Sequence, residues 1–85
     1  MNGGYLITFR SITYAQKGER ILKEMGVSCT LQRTPKILTQ RGCGYCLRLG
    51  NYDIASAIAE LKDRHTPFGK VYAVDAQGTP EEWKL

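Results

Sequence analysis

A mixed α+β fold in the order β-α-β-β-α-β is what this 85-residue sequence predicts, and three observations carry the prediction. Short apolar runs rich in strand formers occur four times. Two stretches between them repeat their apolar positions at intervals of three and four. Glycine, proline or asparagine punctuates the junctions. At 9.5 kDa the chain is well under the roughly 150 residues of the usual domain prior, so one domain is expected. Its core spans residues 4–75, and residues 76–85 form a polar tail.

The elements follow in order. Tyr5-Leu6-Ile7-Thr8-Phe9 is nearly continuous apolar sequence and reads as a buried central strand. Ser11 then offers an N-cap to a helix running to Met25. Ala15, Gly18, Leu22 and Met25 mark its inner side, and Lys17, Arg20, Lys23 and Glu24 its outer side. Gly26 suits the left-handed residue that ends many helices, and Val27, Cys29 and Leu31 alternate with polar residues as a second, half-exposed strand.

Thr34-Pro35 breaks regular structure, and the segment to Gly44 reads as a loop. Tyr45, Leu47 and Leu49 alternate with Cys46 and Arg48 in a third strand. Asn51 or Asp53 can cap a second helix with Ile54, Ala55, Ile58 and Leu61 on one face, closed off by Pro67 and Gly69. Val71 to Val74 supplies a fourth strand, after which Trp83 is the one large apolar anchor of the tail.

This order matches the split β-α-β, ferredoxin-like arrangement: a four-stranded antiparallel sheet with both helices on one face. The other face is then expected to be open, and pairing with a second copy as a homodimer is the expected way to cover it.

Hydrophobic residues at 42% and charged residues at 24% exclude the composition of a disordered chain. No apolar run approaches the ~20 residues of a membrane helix, and Met1-Asn2-Gly3-Gly4 lacks the regions of a signal peptide. A cytoplasmic protein without a membrane partner is expected. Three cysteines are too few for a disulfide framework, so reduced thiols are expected too.

The net charge of +4 is localised. From Arg33 to Arg48 stand Arg33, Lys36, Arg41 and Arg48 with no acidic residue, and the rest of the chain is balanced. One reading is a solvated basic loop; the other is a thiolate environment or an anion site.

Within that window, Cys43-Gly44-Tyr45-Cys46 has the C-x-x-C spacing shared by zinc ligation, dithiol redox and sulfur transfer. Zinc needs four ligands, and only Cys29 and His65 could be added from this chain, so no metal and no cofactor are expected. A metal held by Cys43 and Cys46 with ligands from a second subunit remains an alternative. Dithiol redox sites start a helix, whereas Tyr45 to Leu49 reads as a strand. Strand parity separates Cys46 from Tyr45 and Leu47 and leaves Cys43 on the loop. There Gly42 and Gly44 keep it accessible, and Arg41 and Lys36 favour its thiolate. Cys43 is therefore the nucleophile candidate, against the plain reading of a loop cysteine. Cys29 and Cys46 read as small apolar packing residues.

Other residues carry less. Glu19 sits between the helix faces, and His65 at a helix end has a structural reading. Tyr45 and Tyr72 could stack bases, but the glycine-aromatic signature of sheet-based RNA binders is missing, so nucleic acid is not expected. Neither dinucleotide nor P-loop glycine motifs occur.

The stretch from Tyr5 to Leu49 resembles the selenium/sulfur carrier-like family of small bacterial proteins. The matching features are the opening strand ending in Phe9 and Ser11, a helix with Ala15 and Glu19, and Thr34-Pro35 followed by Cys43-Gly44. The resemblance implies a carrier rather than a turnover enzyme. Its cysteine, Cys43, would hold sulfur or selenium as a persulfide or selenosulfide between a donor protein and an acceptor protein. Cys46 departs from the family's lone Cys-Gly and is the candidate for resolving a Cys43 persulfide into a disulfide. The alternative function is a small homodimeric interaction module that binds anions or nucleic acid through Arg33, Lys36, Arg41 and Arg48, without covalent chemistry.

Overall fold

The computed structural model describes residues 4–38, 44–50 and 54–83. Its first strand, β1 (Gly4–Phe9), is buried along nearly its whole length. Helix α1 (Ile12–Glu24) begins where Ser11 turns extended, φ −130° and ψ 151°, so that its hydroxyl accepts the Tyr14 N–H at 3.2 Å. Ala15, Gly18, Ile21 and Leu22 form its buried side. At Gly18 a side chain has no room, because a Cβ there would lie 2.9 Å from the Phe9 ring and 3.3 Å from Leu47. The helix ends on Gly26 at φ +83°, with the Val27 N–H donating to the Leu22 carbonyl at 2.9 Å.

Strand β2 (Cys29–Arg33) leads through a 3₁₀ turn at Lys36–Leu38 towards β3 (Tyr45–Leu49); α2 (Ile54–Asp63) and β4 (Val71–Val74) follow. The expected caps of α2, Asn51 and Asp53, lie outside the described residues. At the other end of α2, His65 adopts the left-handed conformation, φ 54°, and the Thr66 N–H reaches the Leu61 carbonyl at 2.9 Å. The histidine thus ends its helix as Gly26 ends α1.

The sheet has five strands in the order β2-β3-β1-β4-β5, every neighbouring pair antiparallel, where four were expected. The additional β5 (Pro80–Glu82) arises within the segment read as a polar tail. Its cause is local. The Asp75 carboxylate accepts the Gln77 and Thr79 N–H groups at 2.9 and 2.8 Å, and Gly78 takes φ +84°, which folds the chain back on β4. Pro80 is tolerated because it sits on an edge strand. The Trp83 N–H then donates to the Val71 carbonyl at 2.7 Å, and its indole packs on the core.

Strand parity divides that core. Ile7, Phe9, Leu47, Leu49 and Val71 face the helices and meet Leu22, Ala57, Ile58 and Leu61, so α1 and α2 contribute to one continuous cluster. Each large side chain fully buried there is worth about 1.5–3 kcal/mol. Leu6, Cys46 and Val74 point to the opposite side as a second buried cluster. That side was expected to stand open. Instead Leu38, from the 3₁₀ turn, and Tyr72 pack against the cluster and cover it.

Candidate functional site at the β2–β3 connection

Register brings the ends of three strands together. Arg33 of β2 lies opposite Tyr45 of β3, which lies opposite Phe9 of β1. The ladder continues one step further, with the Thr34 N–H donating to the Gly44 carbonyl at 3.0 Å, so the connection leaves the sheet from a closed base. Pro35 then starts the 3₁₀ turn, its carbonyl accepting the Leu38 N–H at 2.9 Å. This turn carries Leu38 over the face opposite the helices.

Cys46 lies beneath it. Its neighbours across the sheet are Gln32 on β2 and Thr8 on β1, and it has no exposed surface. Its Sγ donates to the Arg33 carbonyl at 3.9 Å, a weak sulfur hydrogen bond. Burial pushes the Cys46 thiol above its ordinary pKa, outweighing the Thr34 hydroxyl, the Gln32 amide and the Arg48 charge, which favour the thiolate. Cys29 is similar. It is buried on the helix side with Sγ 3.8 Å from the Glu19 carbonyl, and burial, with the Glu19 charge adding to it, raises its pKa. Both are free thiols, held protonated at neutral pH.

The other candidate residues separate. Arg41, Gly42 and Cys43 lie outside the described residues. Gly44, the described residue next to Cys43 in the chain, is half-buried, and a Cβ on it would meet no atom within 4 Å. Lys36 is exposed on the 3₁₀ turn. Arg33 and Arg48 project from opposite faces of the sheet, since Arg33 pairs with Tyr45 and Arg48 with Thr30. Arg33 places its guanidinium 5.6 Å from the centroid of the Tyr45 ring. Glu19 forms an ion pair with Lys23 at 3.4 Å on the outer side of α1. Among the described residues, no group of three or more His, Cys, Asp or Glu side chains lies together as a metal site would require. In that same set, no helix is long and apolar enough to cross a membrane.

Sequence reasoning missed Leu38, which with Tyr72 packs against the buried cluster that holds Cys46. A signal was present, the apolar pair Ile37-Leu38 inside an otherwise polar and basic connection, but its target could not be read without the register of β1, β3 and β4.

The family model described as "Putative Se/S carrier protein-like" matches residues 4–73, and the chain belongs to that family. The match runs from β1 through most of β4, so it takes in both the buried thiols and the Cys43-Gly44 step. No curated protein and no solved structure matches the chain.

Proposed function

We propose that this protein carries sulfur or selenium on Cys43, between donor and acceptor proteins of the cytoplasm. The observation that supports this reading best is the fate of the other two thiols. Cys29 and Cys46 are built into the two faces of the sheet and held protonated, so the family's carrier chemistry falls to Cys43. The four strands β1 to β4 with α1 and α2 are read as a split β-α-β core in one domain, with β5 as an edge addition.

In the loading step the Cys43 thiolate attacks the outer sulfur of a donor persulfide. A new Cys43 S–S bond forms, the donor's S–S bond breaks, and the donor leaves as a thiolate that takes up the proton. No electrons are gained or lost overall, so no external oxidant is needed. Lys36 and Arg41 favour the attacking thiolate electrostatically. Glycines stand on both sides of Cys43 in the sequence, Gly42 and Gly44, and the open space around Gly44 fits the approach of a partner's active site. Resolution would require a Cys46 thiolate to attack the inner sulfur and expel hydrosulfide. Its burial beneath Leu38 opposes that step, which favours retention of the cargo.

Intact mass after incubation with a cysteine desulfurase and cysteine tests the reading. Wild type and Cys46→Ser should each gain one sulfur that a thiol wash removes, and Cys43→Ser should gain none. Equal loading of Cys43→Ser would overturn it.

A further inference from the structure

Acidic residues are distributed unevenly along this chain. Segments 1–18 and 25–52 contain none, yet they hold Arg10, Lys17, Arg33, Lys36, Arg41 and Arg48. All eight Asp and Glu residues fall in 19–24 and 53–82. Ion pairs join acidic residues of those two segments to nearby cations: Glu19 with Lys23, Glu24 and Glu60 with Arg64, and Glu82 with Lys70.

The fold gathers part of the acid-free sequence at one end of the sheet. Phe9, Tyr45 and Arg33 are in register there, so the β1–α1 junction and the base of the β2–β3 connection share that end. Arg10, Arg33 and Lys36 are all exposed at it. The large apolar side chains exposed among the described residues, Ile12 at 42% and Tyr14 at 43%, both belong to the first turn of α1. Helical side chains lean towards the helix N-terminus, so both sit at this end of the sheet, although two apart in the helix they leave it on different sides.

We infer that this end of the molecule is the docking surface for the persulfide-bearing donor protein, with Ile12 and Tyr14 as its apolar anchors and Arg10, Arg33 and Lys36 as its basic residues. The inference rests on the carrier reading and deepens it. The partner's chemistry follows from complementarity: an acidic surface around its reactive thiol, with an apolar recess for the first turn of α1. Apolar anchors within a charged rim are the usual anatomy of a protein interface. A nucleic acid would use the charges and could stack a base on Tyr14, but would leave the aliphatic Ile12 without a role. Loading from a protein should slow with rising salt, since the basic residues act mainly by steering encounter.

The test measures the initial rate of Cys43 persulfidation from two donors, a cysteine desulfurase with cysteine and the small molecule glutathione persulfide. Wild type is compared with Ile12→Ser/Tyr14→Ser and with Arg10→Gln/Arg33→Gln; all four positions are exposed, and circular dichroism confirms folding. Each double variant should raise the carrier concentration for half-maximal rate with the desulfurase at least tenfold and leave the glutathione persulfide rate within twofold. Equal desulfurase kinetics for wild type and the Ile12/Tyr14 variant overturn the surface while leaving the carrier reading intact. Loading by glutathione persulfide without any transfer from the desulfurase overturns it as well. No loading of wild type from either donor overturns both readings. Tight binding of a 20-nucleotide single strand that needs Arg10 and Arg33, with desulfurase loading unchanged in the Ile12/Tyr14 variant, would reassign the surface to nucleic acid.

Discussion

The two faces of the sheet bury cysteines in different ways. On the helix side, Cys29 is one small member of a large cluster whose cover is two helices. On the other side, Cys46 belongs to a cluster that, among the described residues, has three buried members, with Leu38 from a short turn and Tyr72 packed against it. The first arrangement is held by many independent contacts and supplies stability. Among the described residues the second depends on a few, so a single substitution should expose its thiol.

Substitutions should break that contrast in graded fashion. Leu47→Ala, on the helix side, removes a fully buried side chain and should cost about 2–5 kcal/mol in urea unfolding. Gly18→Ala adds a methyl where the Phe9 ring stands 2.9 Å away. Overpacking of about 1–3 kcal/mol should outweigh the gain of about 1 kcal/mol in helix propensity, so the variant loses stability even though alanine favours helices. Leu38→Ala should cost only about 1 kcal/mol, since its side chain is half-buried, yet it should raise the alkylation rate of Cys46 at least tenfold. Leu47→Ala provides the control for general loosening: while the variant remains folded, it should affect Cys46 less.

How far the sequence reveals this division depends on the range of the interactions involved. The helix side is legible because its signals are periodic: Ile7 and Phe9 two apart, Leu47 and Leu49 two apart, and Ala15, Gly18 and Leu22 at three and four. The far side is not, because Leu6, Cys46, Val74 and Leu38 come from four separate segments and meet only through strand order. Likewise β5 is a hairpin made by Asp75 and Gly78, and its Pro-Glu-Glu sequence carries no strand preference of its own. Of the site, the face that Cys46 takes is legible as parity, but not that this face is covered.

Smaller effects sharpen the same account. His65→Gly should add up to about 1 kcal/mol, by relieving a left-handed backbone held by a residue with a side chain. The buried thiols give a pH dependence whose sign is fixed. Because folding raises the pKa values of Cys46 and Cys29, the folded protein retains those protons at a pH where the unfolded chain has lost them. Their contribution to stability is complete below the ordinary thiol value of about 8.5 and declines as the pH rises through the folded values. Urea midpoints between pH 7 and 10 should fall less steeply for Cys46→Ala than for wild type.

Site-resolved alkylation of the native, reduced protein by iodoacetamide at pH 7.5 tests most directly whether one cysteine is kept for chemistry and two for packing. Cys43 should react at least a hundredfold faster than Cys46 or Cys29, and the three rates should converge in urea. Equal rates at Cys43 and Cys46 in the native protein would contradict it.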